Sequence, residues 1–132
     1  MSFFKTKLRK TDKLFSRIIR TGDDWKCQAC LELKHYSKDY RNNPQGLHCS
    51  HYFSRGKENT RFDYDNCTSL CLYHHQLWGH GDGKDKDYKN YMIKRLGEDG
   101  LLLLEWKSNQ YCKRDDFLKM IELESKIKEL RG

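Results

Sequence analysis

Between Leu47 and Gly81 the chain gathers five of its six histidines, His48, His51, His74, His75 and His80, together with Asn66 and a Cys71-x2-His74 pair. Upstream, Cys27-Gln28-Ala29-Cys30 sets two thiols at the spacing of a metal knuckle. Each pair brings two soft donors close enough to share one tetrahedral ion, so Cys27, Cys30, Cys71 and His74 are the first-choice ligands of a structural zinc. Cys67 competes: Cys67-x3-Cys71 would complete an all-cysteine set and release His74, although reaching one ion along a straight strand is awkward. The remaining histidines suit another task. Hydrolysing a phosphodiester needs a base to activate water and a divalent ion to stabilise charge on the phosphate. A neutral imidazole with an ordinary pKa of about 6.5 can be that base once an oxygen fixes its tautomer. His51 and Asn66, on successive predicted strands, fit such a pairing. Cys49, Cys67 and Cys112 are left without a role, and His35 reads as a surface group.

The chain is 132 residues long, one domain's worth, with 36% apolar and 34% charged residues. Its mean hydropathy is -1.01, so the core is thin and an external staple such as zinc is expected on stability grounds. Six cysteines could instead mark a disulfide framework. No secretion signal is visible, so reduced thiols, metal and a cytoplasmic location are expected. No run approaches the roughly 20 apolar residues of a membrane span. The net charge is +7, concentrated at the start, where Lys5, Lys7, Arg9, Lys10, Lys13, Arg17 and Arg20 face only Asp12. A polyanion such as DNA explains that bias through counterion release, and a solvated face or an organellar transit peptide are the blander readings.

The elements that must position these residues can be read from periodicity. Phe3, Phe4, Leu8, Phe15, Ile18 and Ile19 recur at near-helical intervals, which predicts a basic amphipathic helix over residues 3–20. A knuckle follows around Cys27 and Cys30, then a turn at Asn42-Asn43-Pro44-Gln45-Gly46. A strand is expected from Leu47 to Phe53, a loop over Ser54–Asn59, and a returning strand from Phe62 to Leu70. Leu72 to Trp78 reads as a helix stopped by Gly79, with Gly81 and Gly83 beyond it. Tyr88, Tyr91, Met92 and Leu96 mark a helix ending at Gly97, and Leu101–Trp106 and Phe117–Leu130 mark two more. In the last, Leu118, Ile121, Leu123, Ile127 and Leu130 are expected to face mostly one way, closing the core or meeting a partner.

Cys27-x2-Cys30, His51, the Arg61-Phe62-Asp63-x2-Asn66 stretch and Cys71-x2-His74-His75 together resemble the HNH, or ββα-metal, endonucleases. Among these, the phage recombination nucleases of the NinG (Rap) type look most similar, over about residues 25–80 and also in the tail with Tyr91, Ile93, Leu96-Gly97 and a closing amphipathic helix, so the likeness covers most of the chain. The resemblance implies an α+β fold: a small zinc-stapled ββα-metal (His-Me finger) nuclease core at 23–81, between a basic N-terminal helix at 1–22 and a helical segment at 82–132. It also implies His51 as general base, Asn66 as the residue that orients it and pins the loop, and His75 as a ligand of a catalytic Mg²⁺ or Mn²⁺. The implied products carry 5′-phosphate and 3′-hydroxyl ends. Ser50 stands where many such enzymes carry an acidic metal ligand. His48, on the same strand face, and His80 are the two substitutes. His74 replaces a cysteine at the zinc, and His75 replaces an asparagine.

Arg55, Lys57 and Arg61 flank the expected site and could grip phosphates on either side of a cut, with Lys5, Lys7, Arg9 and Lys10 adding contacts from the N-terminal helix. The plainer alternative for Arg61 is an ion pair with a local aspartate. No base-reading element is evident, so recognition of DNA structure, such as a branched recombination intermediate, is favoured over a long specific site. Two rivals remain: a zinc-organised DNA-binding protein without catalysis, and an assembly factor working through its last helix. Monomer and homodimer stay open.

Overall fold

In the computed structural model, which describes residues 7–38, 40, 47–79 and 85–131, the first helix, α1, spans Lys10–Gly22. It begins later than periodicity predicts. Residues 3–6 lie outside the described residues, and 7–9 precede the helix because the Asp12 carboxylate takes the Arg9 amide at 2.7 Å and so marks the first turn. Phe15, Ile18 and Ile19 fall on one face and are buried. After α1, Asp24 and Trp25 adopt left-handed φ values of 56° and 54°, reversing the chain. The Trp25 amide bonds the Arg20 carbonyl at 2.8 Å, and the Arg20 guanidinium lies 4.9 Å from the Trp25 ring. The reversal delivers Cys27 to the start of α2 (Gln28–Leu33).

Strand β1 (Leu47–His51) pairs antiparallel with β2 (Cys67–Cys71), Leu47 opposite Cys71 and His51 opposite Cys67. Both strands are shorter than expected. Tyr52 and Phe53 leave the ladder yet stay buried, and the predicted loop and early second strand are instead a short helix α3 (Glu58–Arg61) and a tight 3-10 turn at Tyr64–Asn66. Backbone groups outside the ladder need other partners. Asn66 supplies three: its side-chain oxygen accepts the Phe53 amide at 2.9 Å, and its side-chain nitrogen donates to the carbonyls of Phe53 at 2.9 Å and Thr60 at 3.0 Å.

Cys71 leads directly into α4 (Leu72–Trp78), which stops at Gly79 with φ 67°, as the glycine predicts. Next, α5 (Lys86–Ser108) is two helical arms joined at Gly97, where φ is 80° and ψ 164°, so the predicted break stands and the second arm runs two residues beyond Trp106. The last helix, α6 (Asp116–Arg131), packs on α1. It does not turn its apolar residues one way. Leu123 is buried and Ile127 joins it, while Phe117, Leu118, Ile121 and Leu130 stay exposed. At 100° per residue, positions 118 and 121 fall on the far side of the helix from 123 and 127, and 117 falls on its flank.

The result is an α+β arrangement of helices around one small antiparallel sheet. One apolar cluster joins α2, β2, α4 and α5 through Leu70, Trp78, Tyr88 and Met92. Another joins α1, the hairpin and α6 through Phe15, Ile18, Cys67 and Leu123. No helix among the described residues is long and apolar enough to cross a membrane.

Candidate metal centre and histidine cluster

The knuckle and the start of α4 meet at one corner. Cys27 and Cys71 are the N-cap residues of α2 and α4, and each sulfur accepts the amide three residues on, from Cys30 at 3.4 Å and His74 at 3.5 Å. This geometry turns Cys30 and His74 back toward their caps. Nδ1 of His74 lies 3.3 Å from the sulfurs of Cys30 and Cys71 and 3.7 Å from that of Cys27, and Cys30 and Cys71 are 3.9 Å apart. A tetrahedral zinc with ordinary bond lengths needs donor separations of about 3.8 Å between sulfurs and about 3.6 Å from sulfur to nitrogen. The four donors fit. All four residues are buried, and His74 Nδ1 is surrounded by sulfurs, weak hydrogen-bonding partners that a cation would replace with strong bonds. Burial pushes the Cys27 thiol up to about 12, raises Cys30 and lowers His74, so the ion must displace thiol protons as it binds. These four residues could hold a zinc ion through Nδ1 of His74. Cys67 is not among them: it sits at the opposite end of β2, in the cluster around Phe15.

His75 follows on α4 and stacks on His48, with ring centroids 5.0 Å apart and planes 11° from parallel. Ser50 shares the His48 face of β1 as strand alternation requires, but it is buried and its hydroxyl is 2.9 Å from that of Tyr88. Of the two substitutes for a missing acidic ligand, His48 is thus beside His75, and His80 falls outside the described residues.

His51 ends β1 on the other face. Its ring lies 6.1 Å from that of Phe15 on α1, and its Nε2 is 2.9 Å from the Arg61 carbonyl. A carbonyl only accepts, so Nε2 carries the hydrogen and Nδ1 keeps a lone pair. Burial lowers its pKa to about 4, so the imidazole is neutral at ordinary pH but a weaker base than a free histidine. The expected orienting role of Asn66 is therefore taken by the Arg61 backbone, while the expected pinning of the loop is what the Asn66 amide does.

Arg61 itself does not reach outward. It is 2% exposed, forks onto both carboxylate oxygens of Asp12, and donates to the carbonyls of Arg55 at 3.1 Å and Lys7 at 2.9 Å. The partner is an aspartate, but one 49 residues away rather than local. Burial alone would raise the Asp12 carboxyl, yet hydrogen bonds from Arg61 and the Arg9 amide outweigh it and hold it below its ordinary value. Arg9 is likewise committed, to Glu58 at 2.6 Å and Asp116 at 3.0 Å. Both arginines belong to internal ion pairs and are withdrawn from the phosphate-contacting set. Lys57 reaches Asn109 at 3.3 Å and lies over the Phe53 ring, and Arg55 is half-buried. Lys7 and Lys10 are exposed, and Lys5 is outside the described residues.

Two features were missed in the sequence. Asp12 carried no signal beyond being the one acid in a basic stretch. Cys49, His51 and Cys67 prove to be neighbours, each with a ligand atom within 4.8 Å of the others, for which the alternation of Cys49 and His51 on β1 was the available hint. Comparisons with known protein families, curated proteins and solved structures find no match to this chain.

Proposed function

We propose that this chain is a metal-dependent endonuclease of the HNH, or ββα-metal, type, cutting phosphodiester bonds in DNA. The observation that carries the reading is the order of β1, β2 and α4, with His51 closing β1, Asn66 holding the connection, and His75 on α4 directly after a donor of the zinc corner. In this reading Nδ1 of His51 takes a proton from the attacking water, while the Arg61 carbonyl holds the ring through Nε2–H. His75 would hold a Mg²⁺ or Mn²⁺ ion, with His48 as a second ligand once its ring turns out of the stack, and the ion would supply stabilisation of charge on the phosphate and the leaving oxygen. A zinc ion held by the corner would clamp the first turn of α4 and so fix where His75 stands. Lys7 and Lys10 add positive charge for the DNA backbone, and the products are 5′-phosphate and 3′-hydroxyl ends.

One observation favours a second reading, a zinc-organised DNA-binding protein without catalysis: strand alternation turns His51 toward α1 and away from the His48–His75 face. Supercoiled plasmid decides between them. Nicking that needs added Mg²⁺ or Mn²⁺, stops with EDTA, and falls about a hundredfold or more in His51→Ala supports the nuclease. Plasmid retained in gel shifts but uncut in every ion favours the second reading. Cleavage unaffected by His51→Ala removes His51 as the base.

A further inference from the structure

The hairpin face beneath α1 carries two thiols that the proposed reaction leaves unused, beside the histidine that it uses. Cys49 and His51 share a face of β1, and the strand register sets Cys67 opposite His51. One ligand atom from each of the three residues lies within 4.8 Å of the other two. Cys67 is buried, whereas Cys49 and His51 are half-buried, so the group is walled on one side and reachable from the other. Both cysteines are free thiols. With Nε2 committed to the Arg61 carbonyl, Nδ1 is the ring nitrogen left to bind. A backbone carbonyl on the far nitrogen is the usual support of a metal-bound histidine, because it fixes the tautomer and ring orientation. The Phe15 ring shields one side of His51, and the Arg20 guanidinium is within electrostatic reach of Cys49.

We propose that Cys49, His51 and Cys67 form a second binding site for a thiophilic d10 cation, with Zn²⁺ as the ion the donor set fits. Two thiolates and one neutral imidazole balance the dication, so a neutral centre forms inside the molecule. Binding releases two thiol protons to solvent, and the fourth position goes to water from the open side. The corner at Cys27, Cys30, Cys71 and His74 offers four buried donors against three, so it is the tighter site and fills first. One consequence rests on the nuclease reading: the lone pair that binds zinc here is the one assigned to the attacking water. Zinc at the second site therefore silences cleavage.

The test counts metal on the full, reduced chain dialysed against buffers of increasing free zinc. Counted with both His48 and His75 replaced by Ala, which removes the divalent ion assigned to that pair, two zinc ions per chain are expected at high free zinc, one for each group of donors, and one at low free zinc. Cys49→Ala, at a half-buried position, should hold one ion throughout, with unchanged near-ultraviolet circular dichroism as the check that it is folded. Replacing zinc by Co²⁺ gives a second readout, because the thiolate charge-transfer band of the second ion should vanish in Cys49→Ala. A single zinc at every concentration, a second zinc that survives Cys49→Ala, or a Cys49–Cys67 disulfide in its place would each overturn the site. In a Mg²⁺-driven plasmid assay, filling the second site should slow cleavage about a hundredfold or more, and the same zinc should not slow Cys49→Ala. No cleavage even with one ion bound, alongside an intact count of two, sinks the nuclease reading alone. Undiminished cleavage with two ions bound removes His51 from the second site.

Discussion

The corner where β2 runs into α4 and the hairpin face beneath α1 hold the same kinds of side chain, thiols and imidazoles, but they are assembled by different means. At the corner, every donor is an N-cap residue or lies three positions after one, so the local turn sets its direction. Beneath α1, the donors stand on strands and are held from outside, by Phe15, by the Arg61 carbonyl and by the Asp12–Arg61 pair that anchors that carbonyl. A site made from local turns needs only one long-range meeting, of two knuckles. A site made from strands depends on register, on a docked helix and on a buried ion pair all being right together.

Removing one thiol at the corner, or the zinc that its donors could hold, is the harshest way to break the contrast. Cys71→Ala, or a strong chelator on the natural chain, should cost on the order of 10 kcal/mol, enough to abolish the cooperative thermal transition and the near-ultraviolet circular dichroism. A chelated chain that still melts cooperatively would mean the corner is held by packing alone.

The corresponding change under α1 is Arg61→Ala, which strands the buried Asp12 carboxylate and should cost about 3–5 kcal/mol in urea unfolding. Arg61→Lys should recover little, because an ammonium cannot fork onto both oxygens while also reaching the Lys7 and Arg55 carbonyls. The pair also sets a pH window. Asp12 is held below its ordinary 3.8, so its contribution is complete above that value and disappears as pH falls through the lower folded one. Acid titration of stability should therefore be shallower in Asp12→Asn, and an unchanged slope would show that other carboxylates govern it.

Asn66→Ala leaves the Phe53 amide and carbonyl without partners, takes one donor from the Thr60 carbonyl, which keeps the Asp63 amide at 3.2 Å, and should cost about 2–3 kcal/mol. Because it loosens the connection carrying Arg61, it should disturb the α1 face and spare zinc binding at the corner, which metal counting would show. The smallest effect is expected at the exposed Lys94–Glu32 bridge between α5 and α2, where Lys94→Ala should change stability by no more than about 0.5 kcal/mol. A larger loss there would mean that the corner leans on α5 through this contact.

What could be read directly from the chain was whatever depends on near neighbours. Cys27-x2-Cys30 and Cys71-x2-His74 named the four donors of the corner, because a two-residue spacer folds one donor back toward the other. Gly79 and Gly97 marked the end of α4 and the break in α5, since glycine takes positive φ without a side-chain clash. Tertiary structure alone decided the rest. Arg61 had the composition of a phosphate contact and became an internal clamp because α1 brought Asp12 to it from 49 residues away. The first and last helices show the same limit: α1 starts where Asp12 caps it, and α6 buries only the side that meets α1. His48 came to His75, and Cys49 to His51 and Cys67, through strand register and helix docking. Spacing along a chain encodes direction over a few residues, whereas meetings between distant residues depend on which faces can be buried together.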